Sequence, residues 1–144
     1  MTTIDRPQAA DRAGWERLAR AYKAFYLADP PPADYDSAWQ RVLASDGVHA
    51  FVARLDGQLV GLVHYLFHAS TWPGDACYLQ DLYVDEAVRG RGIARALIER
   101  VAEAARERGA ARMYWLTQDH NALARALYDR VAEHRGFLRY DYPL

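Results

Sequence analysis

Val84-Asp85-Glu86-Ala87-Val88-Arg89-Gly90-Arg91-Gly92-Ile93-Ala94 joins a β-rich run to a long amphipathic segment, and what this junction can hold decides how the rest of the chain is read. Upstream, Tyr78 to Val84 is a β-like run. Downstream, Ile93, Leu97, Ile98, Val101, Ala102 and Ala105 recur on one side of a helix expected from about Ile93 to Arg108, which Gly109 ends. Gly90 and Gly92 let backbone N–H groups approach an anion closely, and the helix start adds partial positive charge. Arg89, Arg91 and Arg95 add full charges, so a pyrophosphate is the natural guest of such a nest. A bare connecting turn is the simpler alternative, against which the arginines clustered at the helix start count.

Two common pyrophosphate sites fail on residue type. A P-loop requires Gly-Lys-Ser or Gly-Lys-Thr at the helix start, and this chain has Gly92-Ile93-Ala94 there. A dinucleotide fingerprint needs its third glycine where Arg95 stands and a tight turn straight off the strand, whereas several residues separate Val84 from Gly90. ATP hydrolysis and NAD binding are both disfavoured.

Working outward, Phe51 to Leu55 and Gln58 to His68 are β-rich runs around Asp56-Gly57, a dipeptide that accepts positive φ at both centres of a tight hairpin. Before them, Asp11 is a candidate N-cap for a first helix bearing Trp15, Leu18, Ala19, Tyr22 and Phe25 or Tyr26, which Pro30, Pro31 and Pro32 end. Ser37 with Gln40 has the form of a capping box opening a short second helix with Trp39, Val42 and Leu43 on one side. After Gly109, Met113 to Thr117 reads as a strand. A helix from near Asn121 carries Leu123, Leu127 and Val131 and stops at Gly136, and Phe137 to Tyr142 alternates like a last strand. The order helix, helix, hairpin, strand, helix, strand, helix, strand predicts a mixed α/β sheet with one βαβ crossover.

The 144 residues suit a single domain spanning 1–144, and 51% hydrophobic with 26% charged residues excludes the disordered class. A net charge of -1, from 18 basic and 19 acidic residues, provides no global field toward nucleic acid or anionic lipid. Met1 to Trp15 lacks the apolar core of a signal peptide, no apolar run approaches the roughly 20 residues of a membrane span, and the lone Cys77 cannot form an internal bridge. These features lead us to expect a soluble cytoplasmic protein without nucleic-acid or membrane partners.

Arg89-x-x-Gly92-x-Ala94, after a strand ending Asp81-Leu82-Tyr83-Val84, resembles the acyl-CoA pyrophosphate motif of the GNAT superfamily of N-acetyltransferases. Asn121-x-x-Ala124-x-x-Leu127-Tyr128, followed by Gly136-Phe137, is similar to that family's later motif, and the likeness covers the whole order of elements. Tyr78 to Val84 resembles the diamine acetyltransferases, and Tyr128 to Glu133 the histone-acetyltransferase-like branch. The resemblance implies a mixed, mostly antiparallel α/β sheet with central splayed parallel strands and flanking helices. It also implies acetyl-CoA as cosubstrate with no metal, and a primary amine, whether small molecule, amino acid or protein lysine, as acceptor. A non-catalytic acyl-CoA-binding or acetyl-CoA-sensing module is the competing class.

Carried over residue by residue, the resemblance has Leu82, Tyr83 and Val84 offer backbone groups to pantetheine. Arg89, Gly90, Arg91, Gly92, Ile93, Ala94 and Arg95 grip the pyrophosphate, and Asn121 and Ala124 line the cofactor. Tyr128 lies one turn beyond Ala124 and is the general acid, since a tyrosine with a pKa of about 10 is protonated at pH 7. Asp81 could accept a proton through water, though a regular strand turns only one of Gln80 and Asp81 into the cleft. Diamine acetyltransferases carry an acid at the position of Gln80, and an amide there cannot offset a second ammonium. The family places Tyr26 and Tyr35, with Asp34 and Asp36, over the acceptor side, while most other aromatics should pack in the core. The connection from Tyr128 to Gly136 is longer than in many members, which we read as an added helical turn. The family often dimerises, and the final strand has an edge that could pair with a second copy.

Two side features carry less. His64 and His68 would share a strand face about 13 Å apart, at about 3.3 Å per residue, too far for two ligands of one zinc. His120 suits a solvated or capping group, and Cys77 a small buried filler.

Overall fold

In the computed structural model, which describes residues 1–144, Asp56 and Gly57 adopt φ of 51° and 83°. Positive φ at both centres gives the mirror-image turn whose twist suits a hairpin. It joins strands Val48–Leu55 (β2) and Gln58–His68 (β3), with Leu55 paired to Gln58. Ala76–Val84 (β4) runs antiparallel to β3. Helix Ile93–Arg108 (α3) crosses over to the short strand Arg112–Tyr114 (β5), which lies parallel to β4. The crossover expected from the sequence is therefore present. α3 ends at Gly109, whose φ of 77° lets its N–H close on the last carbonyls.

The sheet gains a first strand that the sequence reading missed. Thr2–Asp5 (β1) pairs antiparallel with β2, giving five strands in the order β1-β2-β3-β4-β5. Only Ile4 of this edge strand is partly buried, so its polar composition hides it.

Helices Arg12–Phe25 (α1) and Pro32–Ala44 (α2) cover one face. The three prolines do not terminate α1. Leu27, at φ 57°, turns the chain so that its N–H donates to the Ala24 carbonyl and the Ala28 N–H to the Lys23 carbonyl. Pro32 instead begins α2, because a ring that lacks an N–H and presets φ fits the first helical turn. Ser37 and Gln40 thus lie inside α2 and form no capping box. Asp11 does not cap α1 with its side chain either; the carboxylate accepts from the Gln8 N–H and from both terminal nitrogens of Arg54, at 2.6–2.7 Å.

Two apolar clusters sandwich the sheet. Trp15, Leu18, Trp39, Val52 and Leu62 fill the α1–α2 side; Phe51, Val63, Cys77, Leu97 and Val101 fill the α3 side. Leu97 and Val101 are fully buried, each stabilising the fold by about 1.5–3 kcal/mol. They anchor α3, and with it the turn at its start.

Helix Ala122–Val131 (α4) packs Leu127, Tyr128 and Val131 on the α3-side cluster, while Leu123 faces solvent. It stops at Val131 instead of Gly136, because Ala132 turns extended, so the longer connection adds no helical turn. β5 likewise ends at Tyr114, short of Thr117, and Phe137–Tyr142 forms no strand within the chain. Both differences have one physical reason: a strand persists only where another strand accepts its hydrogen bonds.

Candidate active site

β4 is paired to β3 along its whole length but to β5 only over Ala76, Cys77 and Tyr78. Beyond Tyr78 the two parallel strands part, and the β5-facing edge of Leu79 to Val84 has no strand partner. That edge leads into the glycine turn. Asp85 accepts from the Ala87 N–H, Arg89 folds back to donate to the Val84 carbonyl at 3.1 Å, and Gly90 and Gly92 take φ of 81° and 77°. Gly92 caps α3 without a side-chain acceptor, so the first N–H groups of the helix, from Ile93 to Arg95, are open to an anion. A methyl group at either glycine would touch nothing within 4 Å, so what these positions require is the backbone conformation. Arg95 is paired to Glu99, whereas Arg91 is exposed. Leu82, Tyr83 and Val84 thus lead, through the short turn at Glu86–Val88, to the residues from Arg89 to Arg95.

The register of β4 slips once. His64 pairs with Asp81 and Tyr65 with Leu79, which leaves Gln80 as an extra residue. A bulge of this kind breaks the period-two alternation. Gln80 is exposed, Leu82 and Val84 pack on the α3 side, and Asp81 turns to the α1 side against His64. The slip places Asp81 beside His64 and leaves Gln80 in solvent.

His64, Trp15 and Tyr22 were not among the expected site residues. The Trp15 indole N–H donates to His64 Nε2 at 2.9 Å, so Nε2 is an acceptor and Nδ1 carries the ring proton. Nδ1 in turn lies 2.9 Å from Asp81 Oδ2 and donates to it. Burial pushes the Asp81 carboxyl up, but the hydrogen bond from His64, with that of Tyr22, outweighs it and holds Asp81 below its usual 3.8. Burial, and then the Asp81 charge, raise the Tyr22 hydroxyl above 10.0. The network joins residues 49 and 17 apart in sequence. The signal available beforehand was the placement of His64 on a strand beside the candidate Asp81.

Tyr128 packs edge-on against Trp115, 5.4 Å between ring centres. Burial, and then the neighbouring phenol of Tyr26, keep its hydroxyl above the ordinary 10.0 and therefore protonated at neutral pH. Tyr26, at the end of α1, also packs at a tilt against Tyr22, 5.1 Å between ring centres, so Asp81, Tyr22, Tyr26 and Tyr128 neighbour one another in turn. Tyr35 is instead buried in the α1–α2 core under the Arg20 guanidinium, 4.3 Å from the ring centre, and is not presented to a ligand. Asp34 is exposed in the first turn of α2, and Asp36 is paired with Arg12. Asn121 precedes α4 and donates to the Thr117 hydroxyl at 3.3 Å, with Ala124 one turn on. Cys77 is fully buried on the α3 side, where desolvation pushes its thiol up to about 11. That makes it a packing residue and a poor nucleophile.

The acetyltransferase (GNAT) family model matches residues 15–132. The chain is 34% identical over 127 residues to the D-amino-acid N-acetyltransferase HPA3 of Saccharomyces cerevisiae, covering 85% of this chain and 78% of that one. It is 36% identical over 89 residues to the thialysine N-epsilon-acetyltransferase of Caenorhabditis elegans, covering 62% of this chain and 56% of that relative. Among solved structures, AAC(6')-Iy in complex with the bisubstrate analog CoA-S-monomethyl-acetylneamine superposes with a TM-score of 0.88 over 100% of this chain and 99% of that one. At 17% identity this likeness concerns the fold. The ribosomal-protein-alanine N-acetyltransferase of Brucella melitensis biovar Abortus 2308 gives a TM-score of 0.80 at 25% identity, covering 100% of both chains.

Proposed function

The chain belongs to the GNAT family of acetyltransferases, and from that premise we propose that it transfers the acetyl group of acetyl-CoA to the primary amine of a small molecule, an amino acid or a protein lysine. The observation that carries this reading is the parting of β4 and β5 directly above the turn at the start of α3. Pantetheine pairs along the free edge of Leu82, Tyr83 and Val84 like an added strand. The pyrophosphate takes the open N–H groups at Gly92 to Arg95 with Arg89 and Arg91, and Asn121 and Ala124 line its far side. One unpaired N–H of β4 polarises the thioester carbonyl.

Asp81 is ionised at neutral pH and receives the acceptor as an ammonium, with Tyr26 and Gln80 at the rim. The ammonium gives up one proton to water beside Asp81, and the neutral amine attacks the carbonyl carbon. As the carbon–sulfur bond breaks, Tyr128 donates its phenolic proton to the departing thiolate, and the proton released by the newly acylated nitrogen passes through solvent and restores the phenol. In this reading the enzyme works in the cytoplasm, where Cys77 stays a thiol, and as a homodimer.

Two measurements test this. Release of CoA thiol across a panel of amines should exceed the amine-free rate for at least one class. Monoamines should be used at least as well as diamines of equal chain length, since Gln80, next to Asp81, is neutral and cannot offset a second ammonium. A tenfold or greater preference for diamines would contradict that placement. Gly92→Val imposes a left-handed backbone on a β-branched residue, a strain of about 1–2 kcal/mol. It should weaken acetyl-CoA binding about tenfold by calorimetry, and an unchanged Kd would remove the turn from the cofactor site.

A further inference from the structure

A second cavity lies on the α3 face of the sheet, at the opposite end of that helix from the glycine turn. It encloses about 260 Å³ between Arg6, His49, Tyr65, Phe67, Glu107 and Arg108. Ile93 is the first residue of α3 and Arg108 the last, so at about 1.5 Å per residue the two ends stand roughly 22 Å apart. Acetyl transfer uses none of these residues.

The walls carry hydrogen-bond donors that the chain itself does not satisfy. Arg6 donates one N–H to Ser45 Oγ at 2.8 Å, which directs the Ser45 proton to His49 Nδ1, 2.6 Å away. Nδ1 therefore accepts, and in the neutral ring Nε2 carries the N–H. Burial, and then the Arg6 and Arg108 charges, hold His49 below its usual 6.5 against the pull of Asp46, so the imidazole is neutral at pH 7. Its Nε2–H has no acceptor within the chain. Tyr65 is 1% exposed, and its hydroxyl likewise has no hydrogen-bond partner. Burial, against the nearby Arg6 and Arg100 charges, raises that hydroxyl above 10.0, so it too is a donor at neutral pH. A buried donor without a partner costs free energy, which an acceptor in the cavity recovers. The Arg108 guanidinium lies over the Phe67 ring, 4.3 Å from its centre. Stacking uses the flat face of the group and leaves the N–H groups at its edge free.

We propose that this cavity is a second ligand site, which takes a small tetrahedral oxyanion: phosphate, sulfate or the head of a small phosphate monoester. The class follows from where the donors stand. Arg6 follows β1, His49 lies on β2, Tyr65 on β3 and Arg108 at the end of α3, so they come from four parts of the fold. A carboxylate offers its oxygens in one plane, whereas a tetrahedral anion offers them in several directions at once. Charge agrees with this. Arg6 and Arg108, with Arg100 beside Tyr65, outweigh Glu107 in the wall and Asp46 beside His49. Arg108, in the last turn of α3, also offsets the partial negative charge of the helix end. Size agrees as well, since the volume lies below the roughly 300–1,000 Å³ of sites for larger ligands and does not admit CoA. An anion held here ties the segment after β1 to the end of α3.

The test is calorimetric titration of sulfate into the whole chain saturated with CoA, at constant ionic strength, so that the turn at the start of α3 is already filled. One sulfate should bind per chain, with acetate weaker by about tenfold or more. Arg108→Gln, at an exposed position, should weaken sulfate about tenfold, the scale of a lost charged hydrogen bond. Tyr65→Phe keeps the ring and should weaken it about threefold. Both variants should retain the wild-type Kd for CoA. The imidazole nitrogen signals of His49, assigned by NMR with His49→Gln, should shift with the same midpoint as the heat. Inorganic phosphate and glycerol phosphate, titrated in the same way, distinguish free ion from ester by which binds more tightly. Absence of both heat and a His49 shift overturns the proposal, as does an unchanged sulfate affinity in Arg108→Gln. Acetate binding as tightly as sulfate overturns the tetrahedral class. If CoA itself fails to bind, the transferase reading falls, and the His49 signal still decides for or against this site.

Discussion

Tyr128→Phe should lower kcat about 10²-fold or more, the scale of a lost general acid, while the Kd for acetyl-CoA changes less than twofold. The phenyl ring keeps the contact with Trp115, so the fold loses one hydroxyl and little packing. The separation of kcat from cofactor affinity is the informative feature, because a packing role would move stability and binding together. In the wild type the hydroxyl is held above 10.0, so it should cause no fall in rate below that pH. Steady-state kinetics from pH 6 to about pH 10, with thiol release as readout, decide the matter: a kcat reduced less than threefold would assign the proton to another donor or to water.

Arg54→Met should produce the largest loss of stability that we expect from a single change. The Arg54 and Asp11 side chains are 19% and 9% exposed, and removing the guanidinium leaves a carboxylate with little water and no counter-charge. Breaking such a pair costs about 3–5 kcal/mol. The effect has a defined pH dependence. In the wild type the hydrogen bonds from Arg54 hold Asp11 below its usual 3.8, so the pair contributes fully above that value and its contribution is lost as the pH falls through the lowered pKa. In the variant the penalty is that of an ionised group and fades once Asp11 is protonated. Urea melts of the two proteins should lie far apart at pH 7 and approach each other below about pH 4. A constant gap across that range would mean that packing, and not charge, holds β2 to the segment before α1.

The parts legible in the sequence were those set by local chemistry. Asp56-Gly57 defined the hairpin because few dipeptides tolerate its backbone, and α3 followed from five buried positions at helical spacing closed by Gly109. The glycines of the turn could be read because the positive φ they adopt at the start of α3 is set by neighbouring residues alone. What escaped depends on partners distant in the chain. β1 is held by pairing with β2 some 50 residues on, and contributes one half-buried side chain to mark it. The proline run was ambiguous because proline can both stop and start a helix. The Trp15–His64–Asp81 network joins α1, β3 and β4, and no spacing rule connects them. Phe137–Tyr142 is the reverse case: its alternation is that of a strand, but a strand needs an edge, and the single chain does not bring it to one.

The slip at Gln80 changes how the crest of β4 must be thought about. Were that residue drawn into the ladder instead of bulging from it, every side chain downstream would cross the sheet: Gln80 would sit opposite the imidazole, and Asp81 would enter the aliphatic interior beneath α3 beside Val63. Such a change of register replaces no residue yet exchanges an anion for a neutral amide at the mouth of the cleft. Whether this cleft attracts a cation is therefore a matter of counting along the strand, and two chains of identical composition could differ in it completely.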